Sequence, residues 1–274
     1  MKLYISSDME GVAGVTAWQQ VDARTPHPEY QIYRRYYTQE VNAAVRGARR
    51  SGASDVTIND SHGPMRNFLF EEFPQDVRVI FGNRKPYSMV QDCDASYAGA
   101  FFVGYHGAIG DADAVLGHTY TPSVIYEARL NGIVCSEATL NAAVLGYYGV
   151  PLLYVTGDRT TVEGVQRQMP WVRGTIVKES IGVFGANTMS PAAAQAAIEK
   201  GASEAFAARA EARPFVMEPP IELEVTFAKV EQADFVEMIP GFERIGTRAV
   251  RFVNDDMLTI FKAFVAVFRL GMQA

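Results

Sequence analysis

The chain has 274 residues, 31 of them acidic and 25 basic, for a formal net charge of -6. That length suits one large domain or two modest ones. The mild acidity supplies no polybasic footprint for nucleic acid or for a membrane surface, so neither is an expected partner.

No basic and apolar leader precedes the first strand, so no signal peptide is expected. The most apolar stretch, residues 257–272, carries Lys262 and Arg269 at helical spacing and reads as an amphipathic helix, not a membrane span. Cys93 and Cys135 form neither a metal spacing nor a disulfide framework. They are expected as buried small apolar residues, and they fit a cytoplasmic protein.

Lys2 to Ser6 predicts a first strand, apolar at Leu3, Tyr4 and Ile5. It runs out onto Asp8 and Glu10, then Gly11. In an open α/β sheet, ligands bind beyond the carboxyl ends of parallel strands. Two carboxylates that close repel each other unless a cation lies between them. The pair reads as half of a metal site; the plainer alternative is a capping Asp beside a solvated Glu. The following loop, through Gly14, lacks both the Gly-Lys-Ser/Thr ending and the Rossmann triple glycine, so it is not a phosphate loop. Pro26 and Pro28 punctuate a further loop. From Glu29 to about Ser51 the pattern is helical, with Tyr30, Tyr33, Tyr37, Val41, Ala44 and Val45 near one face. Asp55 to Asn59 is a second strand, which completes a βαβ unit and predicts a parallel sheet.

That strand ends in Asn59-Asp60-Ser61-His62. A short helix over 67–73, a third strand over 77–81 and a loop through Lys85 lead to a fourth strand, Tyr97 to Val103, which ends at Gly104-Tyr105-His106. Strands one, two and four therefore each deliver a ligand-type side chain at the carboxyl end. His118 follows in a nearby loop. Asn131-Gly132 between apolar runs predicts a hairpin. A helix opens near Ser136 with Glu137 in its first turn, and Leu152 to Thr156 is a strand ending at Asp158-Arg159. Beyond it come a helix over 161–169, a strand over 174–178, a loop over 184–189 and a helix from Ser190-Pro191 to about Ala212. Ile221 to Phe227 alternates as a half-exposed antiparallel strand. A helix over 229–238, a last strand over 248–253 and a closing helix from Asp256 complete the chain. The fold class expected is α/β: a mostly parallel sheet flanked by helices over residues 1–188, followed by a smaller α+β unit over 189–274.

A lone histidine is usually a satisfied surface or core residue. His62 and His106 at corresponding strand ends, beside Asp8 and Glu10, favour a metal instead, with zinc suiting the donors better than manganese or iron. The candidate ligands outnumber one tetrahedral site, and a two-ion site with a bridging carboxylate is the natural alternative. A phosphatase, an amidohydrolase or a peptidase could follow; spacing does not choose among them.

Several motifs in combination, none sufficient alone, resemble the DppA-type D-aminopeptidases, a family of dinuclear-zinc metallopeptidases. They are Ser6-x-Asp8-x-Glu10-Gly11, Asn59-Asp60-Ser61-His62, Lys85-Pro86-x-Ser88-Met89-Val90, Gly104-Tyr105-His106, Glu137 with Leu140-Asn141, and Gly146-Tyr-Tyr-x-Val-Pro151. The resemblance spans essentially the whole chain. It implies two zinc ions per subunit bridged by Asp8, one completed by Glu10 and His62, the other by His106 and Glu137. Spacing alone does not single out Glu137, since a first-turn glutamate is ordinarily a helix-dipole partner. The family's further active-site histidine falls at His118, whose neighbours Gly117 and Thr119 depart from the usual pattern. Its role as acid, oxyanion stabiliser or nucleophile stays open.

The implied function is a metallo-aminopeptidase that hydrolyses short peptides with an N-terminal D-amino acid, of the D-Ala-D-Ala kind, through a metal-activated water. The alternatives are an aminopeptidase or amidase without D preference and a non-catalytic metal-binding scaffold. The family also implies a ring-shaped homo-oligomer, a decamer. Asn59 and Asp60 are candidates for orienting a ligand histidine, or simply for turn hydrogen bonds. Lys85 is a candidate for the substrate carboxylate, or a solvated loop lysine. Asp158 and Arg159 are expected as a surface ion pair.

Overall fold

A computed structural model describes residues 1–25 and 27–274; Pro26, expected in a loop, lies outside them. The first half of the chain runs β1 (Lys2–Ser7), α1 (Pro28–Arg50), β2 (Asp55–Asp60), β3 (Val77–Ile80), β4 (Ala100–Tyr105), β5 (Ile125–Leu130), β6 (Ile133–Val134) and α2 (Glu137–Tyr147). The second runs β7 (Leu152–Asp158), α3 (Arg159–Gln168), β8 (Arg173–Gly182), β9 (Gly185–Thr188), α4 (Pro191–Ala207), β10 (Ile221–Phe227), α5 (Val230–Val236), β11 (Phe242–Gly246), β12 (Ala249–Asn254) and α6 (Met257–Gly271).

The helices start where local chemistry satisfies their first N–H groups. Pro28 opens α1, with His27 Nδ1 accepting from the Glu29 N–H at 3.3 Å. Ser136, Asp158, Ser190 and Asp256 cap α2, α3, α4 and α6 through their side chains. Such a cap stabilises a helix by about 1 kcal/mol. The Asn131-Gly132 turn has φ of 47° and 78°, the mirror-image turn that matches strand twist, and it sets the Leu130–Ile133 pairing of β5 with β6.

Seven strands form the first sheet in the order β3-β2-β1-β4-β7-β8-β9, parallel from β3 to β8 with β9 antiparallel at the edge. The chain leaves β1 for β2 on one side and later returns to β4 on the other. The carboxyl ends of β1 and β4 thus flank a topological switch point, where a crevice opens. One face of the sheet is covered by α1 and α4, whose Val41, Ala44 and Val45 pack with Ala194, Ile198 and Ala202. On the other face Phe102 and Tyr105 share a core with Leu140 and Val144 of α2, Leu223 and Val225 of β10, and Phe261 and Phe264 of α6. Each fully buried side chain of this size contributes about 1.5–3 kcal/mol.

The second sheet is antiparallel, in the order β11-β12-β10-β5-β6. It recruits β5 and β6 from before residue 188, because β10 pairs with β5 in the register Leu223–Leu130. In the opposite sense α4, which follows residue 189, packs on α1 of the first sheet. Sheet membership therefore crosses the 188/189 division drawn from the sequence. Residues 185–188, expected as loop, form the edge strand β9, and 242–246 add β11. The helix α4 stops at Ala207, with a 3-10 turn over Arg209–Glu211 in place of its expected last turn. Among the described residues no helix is long and apolar enough to cross a membrane. Cys93 and Cys135 are free and buried, and burial pushes both thiols up to about 12.

Candidate metal centre

Beyond β1 the backbone turns under the end of β4. The Asp8 N–H donates to Val103 O and the Gly11 N–H to Gly104 O, both at 2.8 Å. A Cβ on Gly11 would lie 1.9 Å from Tyr105 O, so only glycine lets the two strand ends approach this closely. From below, the buried Lys178 of β8 donates to the carbonyls of Glu10, Val12 (3.1 Å) and Val15 (2.8 Å) and ties the loop down. The result is that Asp8 and Glu10, each 2 % exposed, face into the crevice.

The helix α2 brings the next carboxylate. Asn141 donates to the Tyr105 hydroxyl at 3.1 Å and accepts from Tyr120 OH at 3.0 Å. These bonds fix the helix so that Glu137 points at His106, while Glu137 Oε1 accepts from the Tyr120 N–H at 2.6 Å.

Six side chains then meet. His62 Nδ1 lies 3.2 Å from Asp8 Oδ1 and 3.0 Å from Glu10 Oε2. His106 Nε2 lies 3.3 Å from Asp8 Oδ2 and 3.4 Å from Glu137 Oε1. His118 stacks on His106 with ring centroids 4.0 Å apart, and its Nε2 is 3.7 Å from Glu137 and 4.0 Å from Glu10. The Trp18 ring closes over His118 edge-on at 5.4 Å. Donor atoms of Asp8, Glu10 and His106, and separately of His106, His118 and Glu137, lie within 4.8 Å of one another.

The three imidazoles are oriented by backbone. A carbonyl only accepts, so His62 Nε2 donates to Val21 O (2.7 Å), His106 Nδ1 to Gly107 O (2.9 Å) and His118 Nδ1 to Leu116 O (2.9 Å). The remaining ring nitrogens all aim at the carboxylates, and His106 Nε2 is buried without a hydrogen-bond partner. Orientation through the second ring nitrogen is how metal-ligating histidines are held.

Electrostatics say the same. Burial works against the Asp8 anion, but the His106 and His62 imidazoles that face its two oxygens outweigh it and hold the carboxyl well below its usual range. Burial likewise works against charged His62 and His106. Glu10 and Asp8 around the first, and Glu137 and Asp8 around the second, nevertheless raise both well above the usual imidazole range. The cluster thus demands positive charge at its centre, which protons or a divalent cation can supply. Burial, reinforced by His106, lowers His118 instead. An all-N/O donor set of this kind fits zinc.

Asp8, Glu10, His62, His106, Glu137 and His118 are therefore brought together, as expected. Other expectations fail. Lys85 is buried and donates to Asn59 Oδ1 and to Asp60 O (2.6 Å), so it is neither a substrate contact nor a solvated loop lysine. Asn59 and Asp60 follow the plainer of their two readings: neither touches the His62 ring, and both serve strand-end hydrogen bonds, Asn59 donating to Ser88 O at 3.1 Å and Asp60 accepting from the Asn67 N–H and side-chain amide. Asp158 and Arg159 do not pair. Asp158 is buried, accepting from Thr161 N (2.8 Å) and Val115 N (3.0 Å), while Arg159 pairs at the surface with Glu163 and Glu179. Sequence reasoning missed the Val21, Gly107 and Leu116 carbonyls, which carry no residue-type signal, and Lys178, which a strand also bearing Arg173 and Glu179 does not single out.

A buried carboxylate–imidazole cluster at the switch point of a parallel sheet is the architecture of a metal-dependent α/β hydrolase. Residues 1–266 match the profile of the D-aminopeptidase peptidase family, and the chain belongs to that family. It is 33 % identical over 277 residues to a D-aminopeptidase of Bacillus subtilis (strain 168), covering 100 % of this chain and 98 % of the relative. A solved structure, described as the Zn-dependent D-aminopeptidase DppA from Bacillus subtilis, a self-compartmentalizing protease, superposes with a TM-score of 0.96 at 32 % identity, over 100 % of this chain and 99 % of that one.

Proposed function

We propose that the protein is a zinc-dependent aminopeptidase acting on short peptides with an N-terminal D-amino acid, with two zinc ions sharing Asp8. The observation that carries this reading is the division of the Asp8 carboxylate: Oδ1 faces the His62–Glu10 pair and Oδ2 the His106–Glu137 pair. Two half-sites built on one carboxylate are what a bridged pair of ions needs. Glu10 and His62 would hold one ion, and His106 and Glu137 the other.

Bound zinc would supply Lewis acidity to the scissile carbonyl and to the attacking water. The side chains do the rest. His118 lines the cleft with Nε2 unprotonated, because Nδ1 is committed to Leu116 O. It takes a proton at Nε2 as water adds and returns it to the leaving amine. Trp18 and the burial of His118 exclude bulk water from that nitrogen. Lys178 and Gly11 hold the Glu10 turn in place.

The D-aminopeptidase relatives support preference for the D-amino acid, and the self-compartmentalizing neighbour supports assembly of copies; a ring-shaped homo-oligomer, a decamer, is the form the motif resemblance implies. The strongly exposed apolar tip of the β8–β9 hairpin, Ile181 (78 % exposed) and Phe184 (66 %), supports an oligomer. Two buried, unpaired thiols support a reducing, cytoplasmic setting.

The test is hydrolysis of D-Ala-D-Ala and L-Ala-L-Ala by zinc-loaded and chelator-stripped protein. The reading expects D-selective turnover that chelation abolishes. Equal rates on both peptides would make it a non-stereospecific aminopeptidase. Absence of turnover by loaded protein would make it a scaffold.

A further inference from the structure

The cleft, about 570 Å³, is lined by Asp8, Glu10 and His62 in one part and by Asn83, Phe268 and Arg269 in another. The second group combines the last turn of α6 with the loop after β3. Arg269 is partly buried there, donates to Asn83 Oδ1 at 3.1 Å and lies 5.3 Å from the centre of the Phe268 ring. Burial and the neighbouring Arg84 pull its guanidinium below its usual range. Among the described residues neither arginine is within ion-pair distance of a carboxylate. Two like charges without an acid between them attract an external anion.

The other cations near the cleft are committed. Arg24 has a side chain 87 % exposed and pairs with Asp22 at 2.9 Å. Lys85 is spent on Asn59 and Asp60. Arg269 is also held in register with the metal centre, because the Tyr120 whose N–H binds Glu137 packs its ring against Phe264 and Phe268, each at 5.0 Å.

We propose that Arg269, oriented by Asn83, binds the free C-terminal carboxylate of the peptide, so that the enzyme selects short peptides ending in a carboxylate over those with a blocked end. This rests on the peptidase reading of the same cleft. A guanidinium takes a carboxylate through two parallel N–H bonds, and an amide cannot reproduce that charge-assisted contact. The cleft thereby fixes both ends of its substrate: the metal centre takes the amino-terminal residue and α6 the far end.

The experiment compares kcat/KM of zinc-loaded protein for D-alanyl di- and tripeptides with a free or an amidated C-terminus. The expected wild-type preference for the acid is about 30-fold at the length that reaches Arg269, carried mainly by KM. In Arg269→Gln the acid-to-amide ratio is expected within about threefold of one, and Arg269→Lys restores part of it. A wild type indifferent to amidation at both lengths overturns the subsite. So does an Arg269→Gln that slows acids and amides equally, which would make Arg269 a packing residue. If loaded wild type cleaves none of the four peptides, it is the peptidase reading that fails.

Discussion

Replacing Lys178 with methionine removes the one cation that holds the Glu10 turn from below. Its ammonium supplies three N–H donors to three carbonyls, those of Glu10, Val12 and Val15. Burial pulls its pKa down to about 8, so it is still charged at neutral pH. In Lys178→Met those carbonyls are left buried, at about 1–3 kcal/mol each. Against that, the variant no longer carries an ion whose pKa has fallen from 10.5 to about 8, which returns about 3 kcal/mol. The net expected loss is about 3 kcal/mol, or roughly 6–12 °C in Tm for a chain of this size. The freed turn also lets Glu10 move, and metal affinity is expected to fall about 10- to 100-fold, as when a ligand loses its support. Thermal unfolding of the chelated protein reads the first effect, and competition with a chromogenic zinc chelator at pH 7 reads the second. A variant that melts with wild type and holds zinc equally well would refute the idea that Lys178 positions Glu10.

Glu40 carries a pH signature. Burial raises its carboxyl to about 7, against the Ala13 N–H and Lys178, which oppose the rise. A folded pKa above the unfolded 4.5 favours the protonated form, so stability is lost as pH climbs from about 4.5 to about 7, by about 3 kcal/mol in all. Glu40→Gln is expected to raise Tm at pH 8 by several degrees and to change it little at pH 4.5; an equal shift at both would contradict the assignment. For His118→Ala, zinc content is expected to stay at wild-type level while turnover drops about 100-fold or more. Loss of one ion per chain would make His118 a ligand instead. Light scattering is expected to report an assembly, and a monomer in dilute buffer would contradict the ring.

What the sequence revealed followed from how local each signal is. The ends of β1, β2 and β4 were legible because an apolar run followed by Asp8, His62 or His106 is contiguous in the chain. Glu137 was not, since a glutamate in the first turn of a capped helix has an adequate local explanation; only the family motif singled it out. Lys85 was misread because its partners Asn59 and Asp60 are fixed by the approach of a distant loop. The strand β9, Gly-Ala-Asn-Thr, lacks the apolar alternation that marks a strand and exists because β8 offers it an edge. The second sheet was hidden for a related reason: β5 finds its partner β10 some ninety residues later, and nothing within either segment encodes that pairing.

The shared Asp8 is tested most directly by counting zinc in purified, zinc-equilibrated wild type and Asp8→Ala. Two ions per chain are expected in the wild type and at most one in the variant, with hydrolysis of D-Ala-D-Ala lost, because both half-sites draw on that carboxylate. An Asp8→Ala protein that keeps two zinc ions and wild-type activity would contradict the bridged centre.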